Sequence, residues 1–150
     1  MIRGFQEVEN RFLKGTKLSF LPEQGTIGSA GYDFKSNDNF NIKPNESVKI
    51  YTNIKAYMVM DEVLEVYVRS SIGIKKNLML SNVTGIIDST YYQNPKNDGN
   101  IIISLYNYGT EIQEIKIGDK IVQGIFKKYL SSDNGNSDVE RVSGLGSTGK

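Results

Sequence analysis

The sequence predicts an all-β protein, a sandwich or barrel of short strands, and three observations carry that prediction. Apolar and polar residues alternate through VLEVYVR (63–69) and KIVQGIFKKYL (120–130). β-Branched and aromatic residues crowd SVKIYTNIKAYMVM (47–60) and NIIISLYNYG (100–109). Turn formers separate these runs at intervals of roughly 8–12 residues, and no stretch keeps a helical period for a useful length.

Taken in order, NIKPNES (41–47) is a turn that feeds the first long strand region, 47–60. VLEVYVR sets Leu64, Val66 and Val68 on one face and Glu65, Tyr67 and Arg69 on the other, the pattern of a half-buried strand. TGIIDS (84–89) and NPKNDGN (94–100) are turns, and the apolar run 100–109 follows them. YGTE (108–111) and IGDK (117–120) then lead into the last strand, where Val122, Phe126 and Lys128 oppose Ile121, Gln123 and Ile125. After Leu130 the composition changes. SSDNGNSDVE (131–140) holds one apolar residue, Val139, and has nothing with which to anchor itself to a core. Residues 1–130 therefore read as one domain and 131–150 as a mobile C-terminal arm.

A chain of 150 residues can bury a real core, and a formal net charge of +1 gives no bulk attraction to nucleic acid or an anionic membrane. MIRGFQEVENRFLKG has no apolar signal region and no run approaches membrane-spanning length, so a soluble, cytoplasmic protein is expected. The chain contains neither cysteine nor histidine. Disulfides, thiolate metal sites and imidazole acid/base chemistry are excluded. Proton transfer falls to a carboxylate, Tyr or Lys, and a metal would be a hard cation held by oxygen. The last residues spell G-x-x-x-x-G-K from Gly144 to Lys150. A phosphate-binding P-loop needs a strand before it, a hydroxyl residue after the Lys and a helix beyond. A polar stretch rather than a strand precedes this one, and the sequence shows neither the hydroxyl residue nor the helix, so a P-loop is not expected. The glycines with Arg141, Ser147, Thr148 and Lys150 are still suited to wrapping an anion.

Five short stretches point further: SAGYDF (29–34), VRSSIG (68–73), GIIDSTY (85–91), IGDKIVQ (117–123) and RVSGLGSTG (141–149). Each alone is an ordinary turn or strand end. In this order they resemble the five motifs of the trimeric dUTP diphosphatase (dUTPase) family: A-G-Y-D, R-S-[GS], G-x-[IV]-D-x-x-Y, G-D-x-x-x-Q and an Arg followed by a Gly-rich run ending G-S-T-G. The resemblance spans about residue 16 to the last residue. It implies a distorted jelly-roll-like β-barrel and a homotrimer with shared active sites. The implied reaction is Mg²⁺-assisted cleavage of dUTP to dUMP and pyrophosphate, with an arm that closes over a neighbouring subunit's site.

The resemblance also implies roles. Asp88 would be the general base that activates water against the α-phosphorus, a task for which a chain without histidine has carboxylates at hand. Alone it would read as a turn residue. Asp33 would stand near the metal and act through a metal-bound water; as a plain residue it caps a turn. Ser70, Ser71 and Gly73 would offer hydroxyl and amide groups to the phosphates. Arg69 would either join them or pair with a buried carboxylate. Asn82, Gly85 and Ile87 belong to a hairpin whose main chain reads uracil, and the Tyr91 ring would exclude a 2′-hydroxyl. Gln123 would support the phosphate loop or serve as a buried structural amide. Arg141, Leu145, Gly146, Ser147 and Thr148 would come from the arm to the base and γ-phosphate.

The chain departs from the family pattern twice. YQNPKND separates Tyr91 from Gly99, about six residues more than usual, and reads as an exposed loop beside the base pocket and a candidate docking site for a protein regulator. The arm carries Leu145 where relatives have a Phe that stacks on uracil. One expectation joins the two departures: Tyr92, in the lengthened hairpin, covers the base. Two rival functions follow. A dCTP deaminase shares the fold and an R-S-S motif but needs a Glu where GNIIISLYN has Ser104. The other rival is a dUTPase-like protein whose main role is binding a regulator.

Overall fold

The computed structural model describes residues 1–146. In chain order its strands are β1 (Gly4–Glu7), β2 (Glu23–Gln24), β3 (Tyr32–Lys35), β4 (Phe40–Ile42), β5 (Ser47–Tyr51) and β6 (Ile54–Tyr57). They continue with β7 (Glu62–Val68), β8 (Leu78–Leu80), β9 (Gly85–Asp88), β10 (Ile102–Asn107), β11 (Gln113–Ile115) and β12 (Lys120–Lys128). Helical backbone among the described residues is limited to short turns at Asn10–Phe12, Ser71–Lys75 and Ser89–Tyr91. None of it is long and apolar enough to cross a membrane.

All pairings are antiparallel, most of them between strands far apart in the sequence. The main sheet runs β2-β3-β12-β7-β9, and β5-β10-β8 faces the same core. The pairs β1-β6 and β11-β4 complete the wrapping, giving the jelly-roll-like arrangement without one continuous hydrogen-bonded ring. Leu64, Val66, Leu105, Ile115 and Ile121 fill the interior. The alternation expected for β7 holds: Leu64 and Val66 are buried, and Glu65 and Tyr67 are not.

Strand β12 departs from its expected alternation. The pairing with β3 shifts register between Lys120 and Val122, so Ile121 is an extra residue in the ladder. Such a bulge lets two successive side chains share a face. Ile121 and Val122 are both fully buried. Strands β1, β2, β3, β4, β9 and β11 also lie outside the runs that alternation marks. They are two to four residues long, too short for a period to register.

Strand β7 is the spine of the main sheet, bonded to β12 on one side and β9 on the other. Leu64, at its centre, is 0 % exposed. Leu64→Ala is expected to lower stability by about 2–5 kcal/mol through lost burial and a residual cavity, read from urea unfolding.

Candidate active site

Three neighbouring strands set the first half of the site. Asp33 on β3 lies opposite Gln123 on β12, which lies opposite Tyr67 on β7. Arg69 follows directly after β7 and pairs with Asp33, Nε to Oδ1 at 3.0 Å. Lys120, at the start of β12, holds the other carboxylate oxygen at 3.2 Å. The Asp33 side chain is only 10 % exposed, so its charge is set where counter-charges matter. The surrounding cleft has a volume of about 540 Å³ and is lined by Thr26, Ser29, Arg69, Ser70, Lys120 and Gln123 among others. With two cations against one carboxylate, amid hydroxyls and an amide, it suits an anion. Ser71 and Gly73 do not line it. They lie in the turn behind, where Ile72 N–H and Gly73 N–H donate to the Arg69 carbonyl at 3.0 and 2.9 Å and fix its backbone.

The second half is a narrow slot of about 100 Å³ along β9 and β10, lined by Asn82, Gly85, Ile87, Tyr91, Arg141, Gly144 and Leu145 among others. Ile87 is buried opposite Leu64, so its side chain serves the core while its backbone edges the slot. Asp88 ends β9 and caps the turn that carries Tyr91. Its Oδ1 accepts from the Thr90 amide at 3.0 Å and the Thr90 hydroxyl at 2.6 Å. Its Oδ2 faces the Arg141 guanidinium at 3.8 Å, and the side chain is 31 % exposed. One oxygen is held by two hydrogen bonds, and the other has only the longer ion pair with Arg141.

Arg141 donates through Nε to Thr90 Oγ1 at 3.0 Å and lies 5.8 Å from the centre of the Tyr91 ring. Gly144 rests on that ring so closely that a Cβ there would be 2.7 Å from Tyr91 Cε2. Leu145 borders the slot and Gly146 is exposed beyond it. Ser147 and Thr148 lie outside the described residues.

Two expectations about the long hairpin are corrected. Tyr92 does not border the slot. Its hydroxyl donates to Gln6 Oε1 at 2.7 Å and its ring meets Tyr57 edge-on at 6.2 Å, so packing on β1 and β6 holds it away from the base. The 92–98 segment is not simply an exposed loop either. Gln93, Pro95 and Lys96 are exposed, but Asn94 and Asp98 are buried. Asp98 accepts from Lys55 Nζ and from the Glu9 amide, each at 2.8 Å. Side-chain amides of Asn94 and Asn97 close the rest of the turn, bonds that composition cannot foretell.

The residues of Sequence analysis thus gather in two places rather than one. Val63 lies opposite Asp88, and Arg69 is six positions further along the same strand direction. At a rise of about 3.3 Å per residue the Asp88 and Arg69 backbones are about 20 Å apart, although the slot itself reaches Val66, close to the cleft. Sequence reasoning missed Lys120 and Thr90, although both stand inside the quoted motifs, at positions where the patterns leave the residue open. It also missed Asn97, which no motif marks. Among the described residues no three acidic side chains form a metal cage. Asp33 has both oxygens committed to cations, so the donor set suits only an ion that keeps its water and takes oxygens from a phosphate ligand.

A β-barrel that sets an anion cleft and an apolar slot, with the partly exposed carboxylate of Asp88 next to Ile87 and Arg141 of the slot lining but not itself in it, has the parts of a nucleotide-hydrolysing enzyme. Comparison with known proteins makes this particular. The dUTPase family model matches residues 19–149. The deoxyuridine 5′-triphosphate nucleotidohydrolase of Lactococcus lactis is 39 % identical over 99 % of this chain and 98 % of its own, and that of Histophilus somni 31 % identical over 87 % of each. The crystal structure of dUTPase from Streptococcus mutans superposes with a TM-score of 0.74 at 35 % identity, covering 87 % of this chain and 99 % of that one. The chain belongs to the dUTPase family.

The Lys55–Asp98 pair joins the long hairpin to β6, with side chains 6 % and 4 % exposed. Asp98→Ala strands a buried ammonium and is expected to cost about 3–5 kcal/mol in urea unfolding, whereas replacing both partners by apolar residues of similar volume should cost far less.

Proposed function

We infer that the protein hydrolyses dUTP to dUMP and pyrophosphate, with Asp88 as the general base, at sites shared between subunits of a homotrimer. The observation that carries this reading is the setting of Asp88. Thr90 fixes one carboxylate oxygen, and the other, beside the slot residue Arg141, has only a 3.8 Å ion pair that a water could replace. An ionised carboxylate so oriented takes a proton from water as the water oxygen bonds to the α-phosphorus, and pyrophosphate departs with the bond electrons. Family membership supports the substrate.

The separation along β7 supports the sharing. Base, sugar and attacking water lie beside Asp88 and Tyr91, and the phosphates need the cleft of Arg69, Ser70 and Gln123. Asp88 and Arg69 stand about 20 Å apart along β7, and pairing the slot of one chain with the cleft of another is what would bring Asp88 to the phosphates. Ser70 and Gln123 donate to phosphate, while Asp33 holds Arg69 and Lys120 in place to neutralise it. Tyr91 forms the sugar wall, and Asn82 with the Gly85–Ile87 main chain reads uracil. Residues 131–150 act as an arm whose Arg141, Leu145, Gly146, Ser147 and Thr148 close over the nucleotide. Mg²⁺ held by phosphate oxygens and water, with Asp33 as the nearest carboxylate, supplies charge neutralisation when bound.

Two features count against the rivals. Ser104, at the position a deaminase fills with Glu, shares a 2.7 Å hydrogen bond with Ser81, and its hydroxyl has no carboxylate chemistry to offer. The 92–98 segment presents Gln93, Pro95 and Lys96 outward, a small area against the roughly 800 Å² per partner of a stable interface.

Purified protein with Mg²⁺ is expected to release pyrophosphate from dUTP far faster than from dTTP, dCTP or UTP. Asp88→Asn should abolish turnover with the trimer intact, and Ser70→Ala should lower it by about 100-fold. Equal mixtures of these two variants, unfolded and reassembled together, should regain activity at about a quarter of the sites, those that combine an intact Asp88 with an intact Ser70 from another chain. An inactive mixture would place the site within one chain.

A further inference from the structure

The long hairpin faces inward. Asn97 donates from Nδ2 to the Tyr91 hydroxyl oxygen at 2.8 Å, and that hydroxyl donates to the Asn100 carbonyl at 2.7 Å. Asn94 donates from Nδ2 to the Tyr91 carbonyl at 2.9 Å. The same residue's Oδ1 accepts from the Asn97 amide at 3.1 Å. Asn97 Oδ1 accepts from Asn94 Nδ2 at 2.6 Å and from the Gly99 amide at 3.1 Å. The chain returns so close that a Cβ on Gly99 would lie 2.9 Å from the Tyr91 carbonyl oxygen. The unit is fastened to the barrel through Asp98.

The geometry points to Asn97 as a positioning residue for sugar selection: the inserted turn braces the Tyr91 ring from behind, so that the wall against a 2′-hydroxyl cannot tilt away. This rests on the reading of Tyr91 as the sugar wall. A phenol in a slot would otherwise be free to rock about its side-chain bonds, and discrimination between deoxyribose and ribose depends on where its edge stands. Tyr91 is 8 % exposed, and its hydroxyl has both its proton and an acceptor position engaged by the insert and the strand that follows. Burial raises the Tyr91 pKa, and the Asn97 bond pulls against that rise. No direct contact of Asn97 with nucleotide is required, since its amide is spent on Tyr91 and on the turn.

The test is the ratio of kcat/KM for dUTP over UTP. Asn97→Asp keeps an oxygen to close the turn on Gly99 and Asn94 but turns the donor into an acceptor, leaving one phenol proton to serve two acceptors. The ratio should fall by about fivefold to tenfold, the weight of one buried hydrogen bond, mainly through faster UTP turnover. Asn97→Ala, checked for an intact melting transition, should do the same. Tyr91→Phe removes the hydroxyl itself, so adding Asn97→Asp to it should lower the ratio no further. A ratio unchanged in Asn97→Asp and Asn97→Ala while Tyr91→Ala loses selectivity would overturn the brace and leave the sugar wall standing. Effects that multiply in the double variant would also overturn it, because Asn97 would then act by another route. A Tyr91→Ala protein that still rejects UTP would remove both readings.

Discussion

Between the point opposite Asp88 and the start of the phosphate cleft runs β7, bonded on both edges and packed into the core through Leu64 and Val66. A strand held in that way can neither fold back nor shorten, since bending it would break ladders with β9 and β12 together. The distance between the carboxylate and the cleft is therefore a property of the sheet, not of side-chain rotamers. On the proposed shared-site reading, that fixed distance is what assembly would close, by bringing the Asp88 end of one chain to the cleft of another.

The two aspartates that the motifs single out are divided by the same geometry. Asp33 is buried beside Arg69 and Lys120, with each oxygen taken by a cation. Its charge is spent on orienting those cations. Asp88 is half-exposed, with one oxygen fixed by Thr90 and the other facing Arg141 at a distance too long for a hydrogen bond. Its Oδ2 is thus held more loosely than either oxygen of Asp33. The absence of histidine narrows the candidate base to a carboxylate, but only the environment decides which one.

Much of this was legible in the chain before its fold. Alternation in 63–69 marks β7 because a half-buried strand imprints its period on the residue pattern, and a seven-residue strand is long enough to show it. The bulge at Ile121 was not legible, since an extra ladder residue breaks the period on which the reading depends. Strands such as β2 and β4 carry too few residues to have one. The motif residues fall in two clusters, yet the motifs could not tell that Ser71 and Gly73 do not line the cleft or that Lys120 does. Those facts depend on how a turn is rotated after its strand ends. The 94–100 segment misled for a related reason. Asn, Asp and Gly are read as surface residues, but here their side chains satisfy one another and the buried Lys55, so polarity marks an internal network instead of a solvated edge.

Tyr91 shows why such a network belongs at this place. The Gly144 backbone lies against one part of its ring, where a methyl group would collide, while Asn97 and the Asn100 carbonyl hold its hydroxyl at the far end. A ring pressed by the arm needs something rigid to press against, or arm contact would shift the wall it is meant to seal. Leu145 borders the slot with an apolar, non-stacking side chain, so on the proposed reading the orientation of a nucleotide would rest more on the fixed side of the slot. The inserted turn stiffens that side, and its anchor to Lys55 and the Glu9 amide carries the load into β6 and the N-terminal segment instead of leaving it on the hairpin.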